Sequence, residues 1–241
     1  MLEVVNVSKS FGGLKVLKGI SFKVGEGEIL GLIGPNGSGK TTLFNIISGH
    51  LTCDDGSIFF MNRQITRLPP HKICKIGIAR TFQIPRPFLE MSVVENVITA
   101  SLYGQDKNLS DSHRHALELL KLVGLEGKRG LKAASLNVSE RKLLEVARAL
   151  ATGPKLVLLD EPLSGLNPTE VMHMKEVIKN IRDELAISII WVEHILRALR
   201  NIVDRVVVLN EGKKIAEGRL TEVTRDRTVI EAYLGAHWVM T

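Results

Sequence analysis

Cysteine is scarce: Cys53 and Cys74 are the only two in 241 residues. With no second pair beside them they exclude a disulfide framework and a cysteine-rich metal site, and they read as reduced thiols of no assignable role. Long apolar runs are missing as well. A membrane-spanning helix needs about 18 consecutive apolar residues, and the longest candidates, residues 156–159 and 187–192, have only strand length. The chain is therefore expected not to cross a bilayer by itself. Its start, Met1-Leu2-Glu3-Val4-Val5-Asn6, alternates like a strand and lacks the basic and apolar stretches of a secretion signal, which points to a cytosolic location. Aromatic residues make up 5% of the chain, and no five like charges stand in a row. The net charge of +6 is accordingly read as a solvated basic surface, and no nucleic-acid partner is expected. Internal repeats and low-complexity segments are absent too.

What is present suffices for a large folded domain, since 44% of the residues are hydrophobic. Residues 1–82 are strand-rich, with strands expected over 4–8, 20–24, 28–33 and 57–61, and Asn62-Arg63 able to turn the last of these into a hairpin. A short strand over 77–81 leads to Phe82-Gln83. Helical patterning follows: Ser92 and Glu95 form a capping box opening a helix to about residue 102, a second helix covers 115–123, and a third covers 137–151 with Asn137 and Glu140 as a cap pair. After Pro154 strands (156–159, 187–192, 205–209) alternate with helices (169–185, 195–201), and Asn210-Glu211-Gly212-Lys213 turns the last strand back onto 214–216. Continuous apolar strands alternating with helices imply a mostly parallel sheet with ligands at the carboxyl ends of its strands. One domain is expected, with residues 1–83 and 154–241 as an α/β core and residues 84–153 as an inserted helical subdomain.

Gly34-Pro35-Asn36-Gly37-Ser38-Gly39-Lys40-Thr41-Thr42 has the spacing that wraps backbone around a polyphosphate, and it lies between an apolar strand and a helix ended by Gly49. The glycines let successive N–H groups turn inward, and the helix behind adds the positive end of its dipole. Lys40 is placed to reach the β- and γ-phosphates and the Thr41 hydroxyl to ligate Mg²⁺. A second apolar strand ends in Asp160-Glu161. There a phosphoryl-transfer site needs a carboxylate for the metal, held directly or through water, and a general base for the attacking water; Asp160 and Glu161 are the candidates. The absence of any Asn-Lys-x-Asp disfavours a GTPase.

The phosphate loop, Gln83 after a strand, Asp160-Glu161, Ser164-Gly165-Leu166-Asn167 and His194 after the next strand together resemble the ATP-binding subunit of an ABC transporter. Phe11-Gly12-Gly13-Leu14-Lys15, Arg80-Thr81-Phe82-Gln83, Glu193-His194 and residues 214–218 and 229–235 are similar to its branched-chain amino-acid importer subfamily. The resemblance implies an ABC-ATPase fold of the P-loop NTPase class: a mostly parallel α/β core with an antiparallel β subdomain and an inserted α-helical subdomain. It implies an ATPase using ATP and Mg²⁺, bound peripherally at the cytoplasmic face of the cell membrane to transmembrane permease subunits. A second ATP-binding subunit, identical or similar, would close over the nucleotide. By the same resemblance Gln83 would reach Mg²⁺ or the lytic water, His194 would contact the γ-phosphate, and Phe11 would stack on adenine. Residues 84–88, Ile-Pro-Arg-Pro-Phe, are the candidate surface for the membrane subunit.

One segment departs from the family. Leu136-Asn137-Val138-Ser139-Glu140 stands where Leu-Ser-Gly-Gly-Gln is usual, a segment that closes over the γ-phosphate of the opposite subunit through a hydroxyl, glycine N–H groups and a helix N-terminus. Asn137 and Ser139 remain candidate nucleotide contacts, but Val138 and Ser139 put side chains where glycine allows close approach. Asn167 replaces a commoner aspartate, and residues 167–170 fit either a helix cap or a contact across a dimer. Two other readings are carried: a soluble ATPase of this fold acting on nucleic acid or ribosomes, and a nucleotide-binding regulatory subunit that does not hydrolyse.

Overall fold

The computed structural model describes residues 1–105, 107–193 and 196–234. In chain order its first elements are β1 (Leu2–Phe11), β2 (Leu14–Val24), β3 (Ile29–Ile33), α1 (Lys40–Ile47), β4 (Asp55–Phe60), β5 (Arg63–Gln64), α2 (Pro70–Lys75) and β6 (Ile78–Arg80). There follow α3 (Val93–Gln105), α4 (Leu109–Leu122), α5 (Val138–Ala151), β7 (Leu156–Asp160) and α6 (Pro168–Leu185). The last described elements are β8 (Ser188–Val192), α7 (Leu196–Leu199), β9 (Arg205–Asn210), β10 (Lys213–Gly218), α8 (Leu220–Val223) and α9 (Arg227–Leu234). These elements fall into two compact units, residues 1–70 with 188–241, and residues 71–187.

The first unit contains two sheets. One is antiparallel with strand order β2-β1-β4-β5. Met61 and Asn62 both adopt left-handed backbone (φ 49 and 62), the turn chemistry that matches the twist of the β4–β5 hairpin. In the other sheet β3 runs parallel to β8 on one side and β9 on the other, with β10 antiparallel on β9. Every residue of β3 and β8 is buried, which explains why these strands read as unbroken apolar runs. Leu30, Leu32, Ile189 and Trp191 are fully enclosed, and burying each such side chain contributes about 1.5–3 kcal/mol.

The second unit pairs β6 with β7 in parallel and surrounds them with helices. The capping boxes operate as expected: Ser92 and Glu95 exchange bonds at the start of α3, as do Asn137 and Glu140 at the start of α5. Along α6, Met174, Val177, Ile178 and Ile181 recur at helical spacing and are buried.

Several boundaries differ from the sequence reading. Helix α4 starts at Leu109 instead of residue 115, because Asn108 caps it by accepting the Asp111 N–H. Helix α7 covers only Leu196–Leu199, whereas 195–201 was expected; Asn201 already has φ 65, and Ile195 lies outside the described residues. Helices α2, α8 and α9 were not anticipated; α2 buries only Ile73, too little to show periodicity.

Candidate functional site

In the first unit, residues 34–39 leave β3 and enter α1. Gly34 has φ +152, and a β-carbon there would stand 2.1 Å from the Leu209 carbonyl oxygen, at the end of β9. Gly39 has φ +104, and its β-carbon would meet the Leu17 side chain at 2.6 Å. Only glycine fits at either position, so β2 and β9 press the loop into its curve from outside. Gly39 is also the N-cap of α1, with no side chain satisfying the first N–H groups and no acidic residue in the first turn. Those donors suit an anion. Lys40 is buried, and its ammonium donates to the carbonyls of Gly34 (2.7 Å) and Pro35 (2.8 Å) and lies 3.4 Å from the Ser38 hydroxyl. Thr41 is exposed and Thr42 half-buried at the same helix start, while Asn36 and Gly37 form the open crest. Such a cradle fits a polyphosphate.

Two aromatic residues of this unit stand out. Phe11, at the end of β1, is 45% exposed with the Lys9 ammonium 5.6 Å from its ring centroid, so a flat aromatic surface is available for stacking. Tyr233 of α9 was not singled out from sequence. Burial pushes its phenol up to about 12, the Gly34 backbone drawing it back. His194 lies outside the described residues.

In the second unit β7 delivers Asp160 and Glu161. Asp160 is buried, and its Oδ2 accepts from Arg80 Nη2 at 2.9 Å. Both side chains of this pair are 8% exposed. Glu161 has left-handed backbone (φ 46), unusual for a non-glycine residue, so the chain turns sharply as the strand ends. Gln83 meets it there, Nε2 donating to Glu161 Oε2 at 2.8 Å. An amide thus orients a half-buried carboxylate of the kind that accepts a proton from water. Among the described residues no cluster of three or more His, Cys, Asp or Glu could hold a metal. Mg²⁺ normally takes one or two protein oxygens, and the Thr41 hydroxyl and the Asp160 carboxylate are donors of that kind.

Asn137 and Ser139 stand at the uncluttered start of α5. The Asn137 side chain accepts the Glu140 N–H at 2.9 Å and the Ser139 hydroxyl at 2.9 Å, so its oxygen is committed to capping. Val138 is 61% exposed and projects from the helix end. Burial pushes the Glu140 carboxyl up, but bonds from Lys128 and the Asn137 N–H outweigh it and hold it below its ordinary value. A cavity of about 260 Å³ brings Ser139 together with Leu143, Leu166, Thr169, Glu170 and His173. Asn167 caps α6, accepting the N–H groups of Thr169 and Glu170, each at 3.0 Å.

A glycine loop around an uncapped helix start in the first unit and an Asp-Glu pair at a strand end in the second are each features of nucleotide-hydrolysing proteins, and the relatives of the chain are of that class. Residues 17–164 match the ABC transporter family, and residues 213–239 match the branched-chain amino acid ATP-binding cassette transporter region. The chain belongs to the ABC transporter family as an ATP-binding cassette, and it is an ATPase. It is 38% identical to the probable branched-chain amino acid transport ATP-binding protein LivG of Archaeoglobus fulgidus, over 98% of this chain and 96% of the relative. It is 36% identical to the high-affinity branched-chain amino acid transport ATP-binding protein BraF of Pseudomonas aeruginosa, over 98% of both. Among solved structures, the ADP conformation of MJ1267, an ATP-binding cassette of an ABC transporter, superposes with a TM-score of 0.88 at 34% identity, covering 98% of each chain. The dimeric cassette MJ0796 bound to ADP and Pi superposes with a TM-score of 0.82 at 26% identity, over 91% of this chain and 99% of that one. The ABC-ATPase fold and the subfamily resemblance are therefore as the motifs implied. No helix of the described residues is long and apolar enough to cross a membrane.

Proposed function

We propose that this chain is the ATP-binding and hydrolysing subunit of an importer for branched-chain or related hydrophobic amino acids, working through partner membrane subunits. The observation that carries the catalytic part is the bond between Gln83 and Glu161, which holds a carboxylate in a strained turn directly after the buried Asp160. The importer part is supported by the match of residues 213–239 to the branched-chain cassette region and by the relatives, which are branched-chain amino acid transport ATP-binding proteins.

On this reading the N–H groups of residues 34–42 and the Lys40 ammonium bind the phosphates of ATP, and Phe11 stacks on adenine. Thr41 and Asp160 would supply oxygens to Mg²⁺, Asp160 directly or through water, and Gln83 would reach the metal or the lytic water. Bound there, the ion neutralises charge on the phosphates. Glu161 takes the proton of the attacking water, and His194 contacts the γ-phosphate. Asn137 and Ser139 meet the nucleotide of a second cassette, so ATP counts as part of the interface and stabilises the dimer by mass action. The exposed residues Ile84 and Phe88 belong to a proline-braced loop that contacts the membrane subunit at the cytoplasmic face.

Isolation of the chain from native membranes tests this reading. Co-purification of a permease pair, and ATP-dependent uptake of leucine, isoleucine or valine after reconstitution, are the expected results. Co-purification of ribosomes or DNA would replace the importer reading with the soluble one.

A further inference from the structure

Helix α5 carries ionisable side chains on its buried face that no role above uses. Lys142 and Glu145 are 7% and 6% exposed, and a spacing of three residues puts them on one side of the helix. Buried charges persist only with partners; the partners here include backbone groups of two functional loops, and the Arg148 and Arg86 charges also face Glu145. Lys142 Nζ donates to the carbonyls of Glu161 (3.1 Å) and Pro162 (3.3 Å). Glu145 accepts the N–H of Phe82 at Oε1 (2.8 Å) and the N–H of Arg86 at Oε2 (2.9 Å). One turn further Arg148 donates to the Arg86 carbonyl at 2.8 Å, its guanidinium 5.0 Å from the Phe88 ring centroid.

These bonds grip the chain on either side of Gln83 and at the carbonyl of Glu161. A left-handed backbone on an L-residue costs about 1–2 kcal/mol, so the conformation at Glu161 persists only where its surroundings hold it. The other end of the 82–88 loop is held by Asn96, which is fully buried and exchanges hydrogen bonds with the backbone N–H (2.8 Å) and carbonyl (3.0 Å) of Phe88. Burial raises the Glu145 carboxyl, the Phe82 and Arg86 N–H groups drawing it back.

We infer that Glu145 and Lys142 are positioning residues for ATP hydrolysis: one face of α5 sets the backbones carrying Gln83 and Glu161, and through them the hydrogen bond between the two side chains. Because α5 starts at the Asn137 cap, a single rigid helix joins the atypical segment 137–140 to both loops. The inference rests on the ATPase reading and adds to it two residues that touch neither ATP nor water.

The test measures steady-state ATP turnover, ATP affinity and thermal stability of the full chain for Glu145→Gln and Lys142→Met, each also in a Gln83→Ala background. Losing one buried hydrogen bond should lower kcat by roughly tenfold, while KM and ATP affinity change by less than about twofold. In the Gln83→Ala background Glu145→Gln should cause no further loss, because it acts through that loop; a purely structural residue would cost the same factor in both. Should Glu145→Gln not fold, Lys142→Arg against Lys142→Met carries the test, since arginine keeps the donors to both carbonyls and restores turnover. Unchanged kcat in both variants, or an equal loss from Glu145→Gln in both backgrounds, overturns the inference alone. An unaltered chain that hydrolysed no ATP would instead bring down the ATPase reading.

Discussion

Restoring the usual family residues at the start of α5, with Asn137→Ser, Val138→Gly and Ser139→Gly together, should raise ATP turnover. Serine replaces asparagine at an N-cap with little loss, so the bond to the Glu140 N–H survives. Glycine at the next two positions removes the 61%-exposed Val138 side chain and the Ser139 hydroxyl that now occupies Asn137 Oδ1. Helix propensity sets the cost: about 0.4 kcal/mol for Val→Gly and about 0.5 for Ser→Gly, or roughly 1 kcal/mol in total. For a chain of this size that lowers Tm by about 2–4 °C. The gain is access, since bare backbone N–H groups at a helix N-terminus approach a phosphate more closely than branched residues permit. Turnover at saturating ATP, read beside Tm by scanning fluorimetry, should increase several-fold despite the small fall in Tm. A variant that stays folded with unchanged or lower turnover would refute the idea that this segment limits the site.

Lys40→Ala should abolish ATP binding by calorimetry while leaving the chain folded, because the ammonium is the only formal cation of the 34–42 segment; full turnover would sink the phosphate-loop assignment. Gly34→Ala drives a β-carbon to 2.1 Å from the Leu209 oxygen and should cost about 2–4 kcal/mol, lowering Tm by roughly 5–15 °C; an unshifted Tm would show that the loop yields easily. Half-buried His115 has its pKa lowered below 6.5 by burial and by Lys107, so folding favours the neutral ring. Its contribution to stability is complete above pH 6.5 and is lost as the pH falls below it, because the unfolded chain binds the proton first. Between pH 5 and 6.5 the Tm of His115→Gln should accordingly depend less on pH than that of the unaltered chain, and parallel curves would rule the ring out as the cause.

Much of this architecture is written locally in the chain. The phosphate loop is legible because its chemistry is backbone chemistry, and the glycine spacing that permits it is contiguous. The caps at Ser92 and Asn137 are legible because each pairs with a glutamate only three residues on, whereas residues 167–170 fit a cap or a dimer contact alike in sequence and the structure shows Asn167 capping. What local sequence does not reveal is long-range. Arg80 reaches Asp160 across 80 positions, and Glu145 reaches Phe82 and Arg86 across 63 and 59. In sequence Lys142 and Glu145 look like ordinary polar residues of an amphipathic helix, and nothing local marks them as buried. Tyr233 is hidden as well, since nothing local marks its hydroxyl as buried.

The most direct test of the central claim, that this cassette hydrolyses ATP with Glu161 as base and binds it as a dimer, is the oligomeric state and turnover of Glu161→Gln with Mg²⁺ and ATP. Removing a general base typically costs about 10²- to 10⁴-fold in rate. The account therefore predicts a variant that binds ATP, turns over at least about a hundredfold more slowly and accumulates as an ATP-bound dimer in size-exclusion chromatography with light scattering. A monomer with undiminished turnover would contradict it.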